Sequence, residues 1–512
     1  MSAGPLVDAP AGALRGAVDR REPSVTSYLG IPYARPPVGA LRLRRAVRAE
    51  PWAGERAALE FGSRCVQAPS LLAPSREAQS EDCLFLNVWS PLDAAAEPGG
   101  HPVMVWFHGG GFTSGSGAIA WYHGSRLAAR GVVVVTVNYR LGPFGFLHLE
   151  SVGGEAWQGS ANLGLSDQSL ALEWVRDNVA TFGGDPSRVC IFGESAGAMS
   201  VAAHLARPGS AGLFRAAIAQ SGSATHVQSD ETAARTAAAV IAEIGCSSRD
   251  LDRIGDVPSE VLLAAASALE GRIRGDGLPL PFQPTVDGST LPVAPVDALA
   301  DGMAGDVALM VGTTSEEMKL FTLMAGLGRS GTGDLDRDRL RARIERFAPA
   351  MGHHGIDADA VREAYAGALG TGDGREIWSA IMTDLVFGVP AEETVDAQLR
   401  GGGPAWSYLF THPSSAFEGA LGAAHATEIP YVFDNLDQPG TEFLLGPSDR
   451  RRGGLAAVMA DAWVSFARTA KASWQVRDHQ PVGARRPTMV FDLDSEQRDD
   501  PWGERRRVWM GR

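Results

Sequence analysis

The sequence predicts an α/β protein, built on a large and mostly parallel sheet with helices over both faces. Three observations carry that expectation. Several runs are apolar without alternation, the mark of strands buried on both sides. Helical patterns fall between them, and strand–helix alternation of this kind calls for right-handed crossovers. The 61 glycines and 31 prolines are spread along the chain, which suits many short turns and no long linker.

Taken in order, the expected strands are Val103–Phe107, Val132–Val137, Val189–Phe192, Ala217–Ala219 and Val307–Val311. Ser166–Val175 reads as a helix with Gln168, Leu172 and Val175 on one face. Residues 227–275 and 325–400 are rich in Ala, Glu, Asp and Arg, and are expected to be helical excursions beside the sheet, walls around a site. No repeat divides the chain, so a single domain over residues 1–512 is expected.

Composition narrows the function. The chain has 512 residues, 45% hydrophobic and 21% charged, with a mean hydropathy of -0.06, which excludes a disordered or fibrous chain. The 46 basic against 60 acidic residues leave a net charge of -14, which disfavours nucleic-acid and anionic-membrane partners. Lysine occurs only at Lys319 and Lys471, a bias read here as GC-rich, bacterial coding. The start, Met1 to Asp8, has no basic cluster or apolar run of signal-peptide length, and no stretch reaches the ~18 apolar residues of a membrane span. The expected location is the cytoplasm. Four cysteines (Cys65, Cys83, Cys190, Cys246) make no CxxC pair, so neither a disulfide scaffold nor a metal site is expected. Cys190, in an apolar strand, is expected to be an inert buried thiol.

Gly193-Glu194-Ser195-Ala196-Gly197 ends one expected strand and opens an apolar helix. Glycine on both sides lets the chain turn sharply and holds Ser195 proud of the sheet, with the helix N-terminus facing the place where negative charge would develop. The alternative, an incidental serine in a glycine-rich turn, does not account for the flanking strand and helix. A second run, His108-Gly109-Gly110-Gly111-Phe112, follows Val103–Phe107 and presents backbone N–H groups unscreened by any Cβ. With the serine turn it predicts an oxyanion hole from the amides of Gly110, Gly111 and Ala196.

A serine needs a base, and the base an orienting carboxylate. His204, His226, His353, His354, His412, His425 and His479 follow Ser195. His425 is preferred because it stands in Gly422-Ala423-Ala424-His425-Ala426, small enough for an imidazole to approach. For the acid, Glu316 and Glu317 follow the strand Val307–Val311, and spacing does not choose between them.

At this point the chain resembles the type-B carboxylesterase/lipase family of α/β-hydrolases. The matching stretches are Tyr28–Ala34 with Pro36–Gly39, Glu81–Val88, Asn138–Gly142, Asn162–Gln168 and Phe182–Pro186. The resemblance implies an α/β-hydrolase fold with Ser195 as nucleophile, His425 as base and Glu317 as acid. It implies that Ser221 steadies the acid, and it implies no cofactor or metal. Relatives that are secreted bridge the cysteines matching Cys65 and Cys83; in a cytoplasmic protein free thiols are expected, and Cys246 lacks the partner its counterpart has. The 65–83 loop holds no tryptophan and position 320 is leucine, so the two aromatic faces that bind a quaternary ammonium in cholinesterases are missing. Leu71 and Leu72 are too few for an interfacial lid. Soluble short- or medium-chain and aryl esters are therefore the expected substrates, with Phe112, Phe282, Leu320 and Phe321 as candidate pocket walls. Two other readings are an amide or carbamate hydrolase on the same triad and a non-catalytic binding or adhesion module. Monomer and homodimer both remain open.

Overall fold

Eleven strands form one sheet in the computed structural model, which describes residues 4–70, 77–93, 97–274, 280–327, 335–477 and 485–511. In chain order they are β1 (Ala17–Val18), β2 (Val25–Pro32), β3 (Phe85–Pro91), β4 (His101–Phe107), β5 (Val133–Val137), β6 (Gly184–Glu194), β7 (Ala216–Gln220), β8 (Ala308–Thr314), β9 (Ala405–Phe410), β10 (Pro487–Phe491) and β11 (Glu496–Asp499). Their spatial order is β1-β2-β3-β5-β4-β6-β7-β8-β9-β10-β11. The run from β5 to β10 is parallel, and antiparallel pairs flank it on both sides.

The unbroken apolar strands have a direct physical reading. Successive side chains on a strand point to opposite faces, and here both faces meet protein. Val103, Val105 and Phe107 of β4 enter one core while Met104 and Trp106 enter another. Likewise Val189 and Ile191 of β6 face the first core, and Cys190 and Phe192 the second. Trp106, Phe192 and Phe433 pack as a ring cluster in the second core, with centroids 4.9 to 5.5 Å apart.

Helices cover the sheet: α1 (Leu163–Asn178), α2 (Ala196–Leu205), α3 (Asp230–Glu243), α4 (Ser259–Arg274), α5 (Met318–Leu327), α6 (Arg337–Ala350), α7 (Ala358–Leu369), α8 (Gly374–Thr383), α9 (Val389–Arg400), α10 (Arg451–Thr469) and α11 (Gly503–Met510). Gln168, Leu172 and Val175 of α1 are all buried, as their spacing predicts. The 227–275 segment contains α3 and α4, and the 325–400 segment contains α6 to α9. Between α8 and α9 lies a π-helical turn, Asp384–Gly388. Helices α6 to α8 and α11 share a separate small core of Leu340, Ile344, Tyr365, Ile377, Ile381 and Trp509.

The expected strands are all present with shifted ends: Val103–Phe107 starts at His101, Val132–Val137 at Val133, Val189–Phe192 runs from Gly184 to Glu194, and Ala217–Ala219 from Ala216 to Gln220. The strand predicted over Val307–Val311 runs instead from Ala308 to Thr314, because Gly312–Thr314 continue the pairing with Tyr408–Phe410. Two resembling motifs also acquire a structural reason. Arg140 and Asp167 form a buried bidentate pair, Nη2 to Oδ1 at 2.6 Å and Nε to Oδ2 at 2.8 Å, and the Arg140 amide donates to Oδ2 as well. That pair joins the strand-end loop at Asn138–Gly142 to α1.

Candidate active site

Because β4, β6, β8 and β9 are parallel, their carboxyl ends lie along one edge, the edge where open α/β sheets present reactive groups. The glycine run leaves β4, Ser195 leaves β6, the two glutamates follow β8, and the His425 segment follows β9. Ser195 holds φ 55° and ψ -123°, a strained conformation for a residue with a side chain. Its amide donates to Gln220 O at 2.9 Å and its carbonyl accepts from the Met199 amide at 2.9 Å, which over-determines the turn. A Cβ at Gly197 would collide with the carbonyl of Phe107. Ala196 opens α2, and the first N–H groups of a helix have no partner within it.

The glycine run folds against this turn. The Gly110 carbonyl accepts from the amides of Thr113 at 3.1 Å and Ser114 at 3.0 Å. A Cβ at Gly109 would stand 2.8 Å from Glu194 O and 3.1 Å from Ser195 Cβ, so only glycine lets the two segments meet. His108 anchors the run from behind. It stacks on Tyr139 at 4.5 Å, the Tyr139 hydroxyl donates to its carbonyl at 2.7 Å, and burial lowers its imidazole to about 4, leaving it neutral.

Glu317 and His425 meet by direct contact. His425 Nδ1 donates to Glu317 Oε2 at 2.6 Å, and the other carboxylate oxygen accepts from the Thr314 amide at 2.8 Å. Glu316 does something else: its amide donates to Ala423 O and its Oε2 accepts from the Ala423 amide, each at 2.9 Å, with Lys319 Nζ 2.5 Å from Oε1. The two glutamates that spacing did not separate thus point to different places, one onto the imidazole and the other onto its loop. His425 Nε2 lies 2.9 Å from Glu194 Oε1, against the residue just before Ser195. Among the described residues Oε1 makes no aligned hydrogen bond, so Glu194 acts on the ring through charge.

The site is dry and over-supplied with carboxylates: Glu317, Glu194, Glu428 and His425 are 0, 3, 1 and 4% exposed. Burial works against the imidazolium, but Glu194 and Glu317 outweigh it and hold His425 well above the ordinary imidazole range. Burial also raises Glu194, though the nearby His425 charge offsets part of it. Glu428 is pushed up to about 8, first by burial and then by Glu194 and Glu317, so it is the carboxyl that keeps its proton at neutral pH. Its Oε1 accepts from Gln220 Nε2 at 3.2 Å, and Gln220 Oε1 accepts from Trp463 Nε1 at 2.9 Å.

Of the other histidine candidates, His354 is exposed and His226 lies beside the site, its ring 6.3 Å from that of Phe387. His204 bridges Ser210 and Gln168, His412 lies 3.0 Å from Asp492, His353 packs on Trp509, and His226 is 2.7 Å from Ser223 Oγ. His479 lies outside the described residues, as do Leu71 and Leu72. Of the four candidate pocket walls, three are buried away from the imidazole. Phe112 packs edge-on to Phe146 in the main core, Phe282 is fully buried there, and Leu320 is sealed against Leu421 and Ala424. Helix α5 turns position 320 toward the loop and position 321 toward the imidazole, so Phe321 alone of the four sits on His425, at 5.1 Å. Ser221 departs from the expected role of steadying the acid. Its amide donates to Gly312 O at 2.8 Å, but its buried hydroxyl has no partner among the described residues, and the Thr314 amide holds the carboxylate oxygen instead. Cys65 and Cys83 are buried free thiols.

Sequence reasoning passed over Glu194, Phe387 and Gln220. Glu194 was visible as a carboxylate just past the apolar run Val189–Phe192, which is an expensive place for one without a partner. Among the described residues no group of three or more His, Cys, Asp or Glu is placed to hold a metal ion, and no helix is long and apolar enough to cross a membrane.

Comparison with known proteins gives the family. A family model described as the carboxylesterase family matches residues 3–506. The chain is 39% identical over 508 residues to a para-nitrobenzyl esterase of Bacillus subtilis (strain 168), covering 97% of this chain and 96% of that protein. It is 36% identical over 486 residues to a fumonisin B1 esterase of Sphingopyxis macrogoltabida, covering 93% and 84%. A crystal structure of a Geobacillus stearothermophilus carboxylesterase superposes with a TM-score of 0.84 at 37% identity, over 98% of this chain and 99% of that one.

Proposed function

The chain belongs to the carboxylesterase family and is a carboxylic ester hydrolase, and from that premise we propose that Ser195 is its nucleophile, His425 its base and Glu317 the acid that orients the imidazole. The observation that carries the reading is the His425 ring, tied at Nδ1 to Glu317 and with Nε2 turned to the strand end that bears Ser195. Ser195 Oγ attacks the ester carbonyl as His425 Nε2 takes its proton. The amides of Gly110, Gly111 and Ala196 hold the oxyanion, each such donor contributing on the order of 3 kcal/mol to the barrier. The C–O bond to the alcohol breaks and His425 gives the proton to the leaving alkoxide. Water then attacks the acyl-enzyme by the same route, releasing the carboxylic acid and restoring the serine.

The substrate class is a small, soluble short- or medium-chain or aryl ester, handled by one domain whose helical segments at 227–275 and 325–400 flank the sheet. The apolar surface beside the imidazole, Phe321 and Phe387 with Met318 and Met382, supports an uncharged substrate. A panel of p-nitrophenyl esters of increasing acyl length, with an anilide included, tests this. Turnover of the short and medium esters is expected. Equal turnover of the anilide would move the assignment to amide hydrolysis. A fluorophosphonate probe is expected to label the enzyme and not Ser195→Ala, and a chain that never reacts would be a binding module.

A further inference from the structure

Phe387 belongs to no motif, yet its ring lies 4.9 Å from the His425 ring. It runs parallel to Phe321 within 11°, at 6.3 Å, and the two rings form a wall to which the imidazole tilts at 38° and 41°. The π-helical turn Asp384–Gly388 presents it, and such turns sacrifice regular hydrogen bonding and concentrate at functional sites. This one is pinned where it begins. The buried Asp384 carboxylate accepts from Tyr365 Oη at 2.5 Å and Arg505 Nε at 2.8 Å, and Trp509 Nε1 donates to the same Tyr365 oxygen at 2.6 Å. Arg505 and Trp509 lie on α11. At the preceding residue, Thr383 Oγ1 accepts from the Met318 amide at 3.2 Å, which ties the turn to the residue after Glu317.

One hydrogen bond from Nδ1 fixes an axis of the imidazole but not its rotation about that axis, and the final torsion of histidine is intrinsically broad. The wall supplies the missing constraint. We infer that the π-helical turn is a positioning device for the catalytic imidazole, with Phe387 its contact residue and the Asp384–Arg505 pair its anchor. This rests on the reading of Ser195, His425 and Glu317 as the triad.

The test is steady-state kinetics with p-nitrophenyl acetate, whose acyl group is too short to depend on a distant pocket wall. Loss of the ring in Phe387→Ala is expected to lower kcat roughly tenfold or more, as misplacement of a catalytic group does. KM should stay within about twofold, and the rate of fluorophosphonate labelling should fall in step with kcat. Phe387→Tyr keeps a ring and is expected to restore kcat to within about threefold. Arg505→Gln, which loosens the anchor without touching the site, is expected to lower kcat in the same direction and carries the test if Phe387→Ala does not fold. Parental kcat in these variants, or a change confined to KM, overturns the proposal. Labelling of the unsubstituted enzyme at Ser195, run alongside, tests the triad itself, so the two failures are distinguishable.

Discussion

At the residue scale the unusual feature of His425 is its company, a carboxylate at each ring nitrogen. A general base must be neutral, so kcat/KM falls as pH drops through the imidazole pKa, and two carboxylates place that acidic limb above the ordinary value of 6.5. Glu194→Gln removes one of the two charges and is expected to move the limb about one unit or more toward acid. A pH–rate profile from 5 to 9 checks it; an unmoved limb would remove Glu194 from the electrostatics of the ring. The two neighbouring glutamates should separate cleanly. Glu317→Gln is expected to lower kcat by a factor of about 10³ to 10⁴, by analogy with loss of a triad carboxylate, with KM little changed. Glu316→Ala should cost far less, through a looser His425 loop. Spacing did not separate this pair and only the family resemblance named Glu317, because adjacent residues of one type differ only in direction, and direction depended on the strand running on to Thr314. Glu428 offers a test of stability. Its folded pKa near 8 exceeds the ordinary 4.5, so burying it costs nothing while it is protonated and increasingly more as pH rises from that value through 8. Glu428→Gln is therefore expected to raise Tm at pH 9 and to change it little at pH 4, and calorimetry at both values decides.

At the level of elements, the strand–turn–helix around Ser195 was legible because its constraints are local: two glycines, a buried strand and an apolar helix within a few residues. The π-helical turn was not, since Asp384–Gly388 has no compositional sign of its extra residue and its register is set by the distant α5 and α11. The Arg140–Asp167 pair shows the intermediate case, two motifs visible in the sequence whose joint meaning needed coordinates. A buried charge left alone is costly, so Arg140→Met is expected to destabilise by about 3–5 kcal/mol. Urea unfolding measures it, and a loss below about 1 kcal/mol would mean that water reaches Asp167.

For the whole molecule, the sheet and its two covered faces could be read from unbroken apolar strands, whereas the division of the core could not, because it depends on how distant helices pack. The state of the thiols is likewise a global property. With Cys65 and Cys83 both free, Tm should be the same with and without a reductant, and unfolding in the absence of one should expose four titratable thiols. Two fewer would reveal a bridge.

The small core shared by α6 to α8 and α11 is distinct from the two that grip the sheet. Substitutions in well-separated cores combine nearly additively, so this subassembly offers ground for directed evolution of selectivity. Libraries placed there, sparing Asp384 and Arg505, would reshape the helices that carry the turn beside the imidazole while the sheet goes on folding as before.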